Sequence, residues 1–215
     1  MLYIPPHFRE ADKDRLHAEI ARIGFATLTT VGPDGPLISH LPVVLDKTIG
    51  AFGQLRCHVA RANRQWRDSD FSKAALAVFM GPDAYVSPSW YPSKKEHGKA
   101  VPTWNYVSIC ARGRIEVVQD RDELAAHVAE LSNLHEAAFP EPWQINDAPP
   151  DYLERQLKGI VGFRFTIDAL EGKMKLSQNR SEADRSGVAA GLSVSPDASA
   201  QAIAGMMTTA NSSKT

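Results

Sequence analysis

The sequence predicts an α+β fold organised around a mostly antiparallel sheet that can close into a barrel. Three observations carry this. Short runs rich in β-branched and aromatic residues recur from Phe25 to Ile167. Turn signals such as Gly32-Pro33-Asp34-Gly35 join them. The connections before residue 80 are too short to hold the helical crossovers that parallel strands need.

After the Pro5-Pro6 lead-in, Asp12 is placed to cap a first helix whose Leu16, Ile20 and Ile23 share one face and which Gly24 stops. Phe25–Val31 then reads as a strand, Gly32–Gly35 as a turn, and Leu37–Leu45 as the returning strand of a hairpin. Pro42 has no N–H to give a ladder, so it marks an edge or a bulge, and a bulge would re-aim Ser39 and His40. A third strand is expected over Ile49–Leu55, followed by a short helical or irregular stretch, His58–Asp68. Ala75–Met80, Tyr85–Ser87, Thr103–Gln119 and Val161–Ile167 complete the strands. Between the last two lie a helix over Asp122–His135, carrying Leu124, Val128, Leu131 and Leu134, and another over Asp151–Ile160 behind Pro149-Pro150. Ser195-Pro196-Asp197 can open a short helix through Met207. Residues 193–207 are therefore expected to form a C-terminal helical extension, and residues 208–215 a disordered tail.

At 215 residues, 43% hydrophobic and 23% charged, the chain is long enough for a proper core and too apolar for wholesale disorder. Lys plus Arg (24) against Asp plus Glu (25) leaves a net charge of −1, so any nucleic acid must be met by a local patch. Two cysteines, Cys57 and Cys110, make neither a disulfide framework nor a CxxC pair, which fits reduced thiols in a cytoplasmic protein. The N-terminal residues hold no signal-peptide core, and no stretch approaches the ~18 apolar residues of a membrane span. The expected compartment is the cytosol, with no membrane partner.

Several chemistries are excluded by motif. There is no G-x-G-x-x-G and no G-x-x-x-x-G-K-[ST], so Rossmann and P-loop nucleotide binding are out. No H-E-x-x-H occurs, the histidines have no ligand spacing, and no metal site is expected. G-x-S-x-G, the usual hydrolase elbow, is missing as well.

Three segments carry a signal. Leu55–Arg67 concentrates Arg56, Arg61, Arg64 and Arg67 with His58 and Asn63 just after a strand. Such a strand end suits a phosphate dianion, which forked, charge-assisted hydrogen bonds hold best; a solvated basic surface is the plain alternative. Gly81–Tyr106 holds Tyr85, Trp90, Tyr91, Trp104 and Tyr106 among prolines, with Lys94, Lys95, His97 and Lys99 in its loop. Aromatics of this density pack a subunit interface or line a pocket for a flat ligand, and Asn105 offers the paired donor and acceptor that an isoalloxazine edge needs. Glu171–Arg180 gathers polar and basic side chains after the last strand. It reads as an ordinary strand exit, or as a set of donors for an anion.

Five ordered motifs resemble those of the PaiB-type "FMN-binding negative transcriptional regulator" family. They are S-H-L-P at Ser39–Pro42, H-V-A-R-A-N at His58–Asn63, G-P-D-A-Y-V-S-P-S-W-Y at Gly81–Tyr91, V-P-T-W-N-Y at Val101–Tyr106 and K-L-S-Q-N-R at Lys175–Arg180. The resemblance implies a flavin split β-barrel with peripheral helices over residues 1–192, shared with pyridoxamine-phosphate oxidases, and a homodimer with FMN in grooves at its interface. By position it implies Ser39 and His40 beneath the flavin, His58, Arg61 and Asn63 at the phosphate, Trp104 and Asn105 at the ring, and Lys175 and Gln178 as late contributions. The phosphate turn departs from the oxidases' Ser/Arg/Lys cluster, which implies weaker phosphate affinity. Their substrate-binding Arg/His pair has no match, so vitamin B6 chemistry is not implied. No catalytic residue stands out.

Function remains open among three readings at this point. The family resemblance favours a transcriptional regulator that meets DNA through the Arg56–Arg67 or Lys94–Lys99 clusters, although no helix-turn-helix is recognisable. An FMN-dependent oxidoreductase is the alternative, since the flavin brings its own redox chemistry. A plain dimer with a vestigial site is the third.

Overall fold

The computed structural model describes the backbone of residues 2–212 and the side chains of residues 2–209. The chain opens with β1 (Arg9–Glu10), α1 (Lys13–Ile23), the hairpin β2 (Phe25–Gly32) and β3 (Gly35–Pro42), then β4 (Val44–Asp46), β5 (Gln54–Ala60) and α2 (Gln65–Asp68). It continues with β6 (Ala75–Val86), α3 (Ser93–His97), β7 (Thr103–Val118), α4 (Arg121–Glu136), α5 (Pro150–Lys158), β8 (Ile160–Lys175), α6 (Glu182–Ser193) and α7 (Ala198–Ser212). The strands form one sheet in the order β3-β2-β6-β7-β8-β5-β4, with β1 added on β8. The pairs β1–β8, β2–β3, β2–β6, β4–β5 and β5–β8 are antiparallel. This is the α+β, antiparallel class that the sequence predicts.

Contacts divide the chain into two compact units, a smaller one made of Met1–Asp12, Met80–Ile109 and Glu171–Thr215, and a larger one made of Lys13–Phe79 and Cys110–Leu170.

In the larger unit the β2–β3 register runs unbroken from Phe25↔Pro42 to Gly32↔Gly35. Pro42 therefore marks an edge strand and not a bulge, and Ser39 and His40 keep the alternation of an ordinary strand. The expected strand over Ile49–Leu55 is displaced to Gln54–Ala60. Gly50 and Gly53 both take left-handed φ (70° and 92°), so the β-prone residues around them form a turn instead. Leu16 and Ile20 of α1, Leu55, Cys57 and Val59 of β5, and Val161, Phe163 and Phe165 of β8 are all buried. Asp120 caps α4, accepting from the backbone N–H groups of Asp122 and Glu123. The helix comes down on β8 at Gly162, where a Cβ would stand 2.9 Å from Leu124 and 3.2 Å from Val118.

In the smaller unit, Ala84 and Val86 of β6, Val107 of β7 and Met174 and Leu176 meet Val188 and Leu192 of α6 and Ile203, Ala204 and Met207 of α7. Trp90 packs on α6 at Gly187 and Gly191: a Cβ on Gly191 would lie 2.5 Å from the indole, and one on Gly187 would run into the Trp90 carbonyl. β6 continues through Gly81-Pro82-Asp83, where the sequence suggests a break. The Asp83 N–H donates to Ser199 Oγ and the Asp83 carbonyl accepts from the same hydroxyl, both at 2.8 Å. α7 runs beyond Met207 to Ser212, five residues into the expected tail 208–215; residues 213–215 lie outside the described residues.

Candidate functional site

The sequence-predicted residues fall in two sets. Ser39, His40, His58, Arg61 and Asn63 belong to the larger unit; Trp104, Asn105, Lys175 and Gln178 belong to the smaller one.

In the larger unit, Ser39 and Asn63 come together: Asn63 Nδ2 donates to Ser39 Oγ at 2.8 Å, and Asn63 Oδ1 accepts from the Gln65 N–H at 2.9 Å. This fixes the turn between β5 and α2. Below it, the buried amide of Gln65 donates to Thr30 Oγ1 and to the carbonyls of Leu28 and Leu37, locking the turn to the hairpin. His40 points to the opposite face from Ser39, exposed, with Nδ1 3.1 Å from Thr27 Oγ1. His58 faces α4, its Nδ1 3.1 Å from Nε2 of buried His127. Burial holds both imidazoles below the ordinary histidine range, His127 at about 4.

The arginines of Leu55–Arg67 are spoken for. Arg61 donates through Nε to the Lys158 carbonyl (2.7 Å), through Nη1 to Gln119 Oε1 (2.9 Å) and through Nη2 to the Ile160 carbonyl (3.0 Å), so its fork clamps the start of β8. Arg56 pairs with Glu130, Arg64 with Asp68, and Arg67 lies over the Trp66 ring. Cys57 is buried, and burial pushes its thiol up to about 12, which removes it as a nucleophile.

In the smaller unit, Asn105 is fully buried and looks inward. Its Nδ2 donates to Ser177 Oγ at 3.0 Å and to Met207 Sδ at 3.6 Å. Ser177 holds a left-handed φ of 61°, unusual for a residue with a Cβ. Gln178 closes the same turn, accepting from the Leu176 N–H and donating to the Met174 carbonyl. Trp104 is about half exposed and meets Tyr85 edge to face, ring centroids 6.1 Å apart. Lys175 donates to Thr103 Oγ1 and to the Trp104 carbonyl, which fixes a cation beside that exposed indole. Its ammonium lies below the ordinary lysine range through burial first, then through the charges of Lys173 and Arg180. Among the described residues, no group of three or more His, Cys, Asp or Glu is placed to hold a metal. No helix there is long and apolar enough to cross a membrane.

A family model described as "Putative FMN-binding domain" matches residues 2–169. The chain is also 32% identical over 183 residues to the "Protease synthase and sporulation protein PAI 2" of Bacillus subtilis, covering 85% of each. The chain belongs to the PaiB-type FMN-binding family. An uncharacterised protein of Emericella nidulans is 35% identical to this PaiB-type chain, over 79% of it and 80% of the relative. Among solved structures, the flavocytochrome Anf3 of Azotobacter vinelandii superposes with a TM-score of 0.58 at 14% identity, covering 86% of this chain and 78% of its own. A conserved hypothetical protein, Rv2991 of Mycobacterium tuberculosis, superposes at 0.59 and 10% identity, covering 84% and 95%. These likenesses are of fold, and the fold is the split barrel.

FMN is the cofactor of the family. An exposed indole stands next to a lysine whose ammonium has two hydrogen-bond acceptors, Thr103 Oγ1 and the Trp104 carbonyl. Lys173, Ser177 and His127 touch the sequence-predicted residues or their neighbours without being among them. Ser177 lies in the K-L-S-Q-N-R motif, and Lys173 has an i, i+2 spacing with Lys175 that matters because β8 runs to residue 175.

Proposed function

We propose that the chain is a cytoplasmic FMN-binding homodimer that works as a transcriptional regulator of the PaiB type. The observation that carries the flavin reading is Lys175, pinned by Thr103 and the Trp104 carbonyl beside the exposed Trp104 ring. Trp104 and Lys175 hold the flavin ring, while Asn105 and Gln178 shape the turn behind them. Of the residues that the family resemblance implies in the larger unit, Ser39 Oγ and the outer nitrogen of His40 are still available to a ligand, whereas His58, Arg61 and Asn63 are engaged within the fold and act through the turn and strands they fix.

The homodimer is supported by an apolar sheet face in the larger unit. Phe25, Val31 and Ile38 are 53%, 44% and 57% exposed, and the register places Thr29 opposite Ile38 between them. A second copy covers such a face by two-fold symmetry. DNA contact falls to Lys94, Lys95 and Lys99, exposed on and just after α3, because the Arg56–Arg67 cluster is engaged internally. Asp184 anchors this helix, accepting from the Ser93 N–H at 3.1 Å and from Ser93 Oγ at 2.8 Å.

The test is an FMN titration followed by absorption, with a gel-shift series at two salt concentrations on the parent and on the Lys94→Ala, Lys95→Ala, Lys99→Ala triple variant. The expected result is bound flavin, and a salt-sensitive DNA affinity that the triple variant loses while keeping its flavin. DNA retention absent at low salt, together with NAD(P)H oxidation by the flavin-loaded protein, replaces the regulator with an oxidoreductase.

A further inference from the structure

β8 runs to Lys175, well past Ile167. With a strand period of two, Lys173 and Lys175 project from one face. Lys173 is only 8% exposed, yet among the described residues its ammonium has no hydrogen-bonded acceptor and no ion pair. Its partners are two rings, with Nζ 5.4 Å from the centroid of Tyr3 and 5.1 Å from that of Tyr106. Ring faces attract a cation, but they replace its lost hydration only in part. Glu171, on the same strand face, accepts instead from the Leu2 N–H at 3.0 Å.

Two more cations stand nearby. Lys175 is close enough to Lys173 and Arg180 for both to disfavour its charged form. Arg180 lies over Tyr91 at 5.0 Å, and the acid near it, Asp184, has its oxygens on the Ser93 N–H and hydroxyl. A half-buried gathering of like charges is stabilised by an anion that comes from outside. The ring faces of Tyr106 and Trp104 on the same side of β7 say that this anion is flat.

We propose that this face of β7 and β8 binds a second ligand beside the flavin, a planar aromatic oxyanion. Lys173 and Arg180 meet its charged group, and its ring lies against Tyr106. The proposal rests on the flavin reading in one respect: Trp104 and Lys175 serve the flavin, and Lys173 and Arg180 serve the second ligand.

The FMN-loaded protein is titrated by calorimetry with 4-nitrobenzoate, phenyl phosphate and the uncharged 4-nitrobenzamide. At least one anion should bind about tenfold tighter than the amide, the scale of one hydrogen bond to a charged group. Lys173→Met should abolish that preference and Lys173→Arg should keep it, with the bound-flavin spectrum of each variant showing that it is folded. If Lys173→Met does not fold, Arg180→Gln takes its place and should lower the preference. Equal binding of the three probes, no binding of either anion, or a preference that survives the charge-removing variant overturns the proposal. If the parent takes up no FMN, the flavin reading fails, and the same titrations on flavin-free protein still decide whether the anion binds.

Discussion

His58 of β5 and His127 of α4 share one hydrogen-bonding proton, with Nδ1 and Nε2 3.1 Å apart and their rings nearly perpendicular. Around them Arg56 pairs with Glu130, and Arg164 with Glu116 and Glu123, so both arginines of this layer already have carboxylate partners. Burial is the main reason that both resist protonation, and for His127 the charge of Arg56 adds to it.

Acid should therefore loosen α4. An unfolded histidine titrates near 6.5, whereas folded His127 does so at about 4. Between these values the unfolded chain binds a proton that the folded chain refuses, so stability is full above pH ~6.5 and falls as the pH drops. His127 alone accounts for about 2–3 kcal/mol by pH 4, with His58 adding in the same direction. Urea midpoints at pH 7.5, 6 and 5 should decline in that order. A flat profile would mean that the pair is solvated.

Arg61→Ala should cost about 2 kcal/mol of folding stability, because it leaves the Lys158 and Ile160 carbonyls and Gln119 without their donor. Arg64→Ala removes an exposed pair with Asp68 and should cost under ~1 kcal/mol. Denaturant titration of both variants without flavin, followed by FMN titration, separates a clamp from a phosphate ligand. A clamp lowers stability first and flavin affinity only through it.

Gly191→Ala sets two effects against each other. Helix propensity alone would stabilise α6 by about 1 kcal/mol. The added Cβ, however, would sit 2.5 Å from the Trp90 ring, and overpacking of that kind costs about 1–3 kcal/mol. The net expectation is destabilisation, read as a lower melting temperature with altered tryptophan fluorescence. A stabilised variant would show that Trp90 moves without cost.

Ser177→Gly relieves the left-handed backbone, worth about 1 kcal/mol, but removes the hydroxyl that bonds Asn105. A buried amide left short of a partner loses about 1–3 kcal/mol, so the variant should be less stable by roughly 1 kcal/mol despite the relaxed φ. Asn105→Ala in the Ser177→Gly background should then cost little more. Full additivity of the two changes would show that the residues do not act as a pair.

The hairpin, α1 and α4 are legible because each is fixed by neighbours in sequence: Gly32–Gly35 sets the turn, and apolar spacing sets the helices. β5 and β6 depart from what the local pattern predicts. Ile49–Phe52 looks extended but bends at two glycines, and Gly81-Pro82-Asp83 looks like a turn but is drawn into a strand by Ser199, 116 residues away. The site divides in the same way. Trp104 and Lys175 could be picked from the sequence as ring and charge. That Asn105 turns inward to Ser177 and Met207, and that Arg61 reaches carbonyls nearly a hundred residues away, depends on packing that local pattern does not encode.

The family match ends at residue 169, yet eight of the twelve buried residues in the core of the smaller unit, from Met174 to Met207, come after it. A fragment cut at that boundary for expression would carry Val86, Tyr91 and Val107 with their cover removed, and should precipitate. Fusion partners and affinity tags belong beyond Ser212, where they leave α7 seated on Asn105 and Asp83.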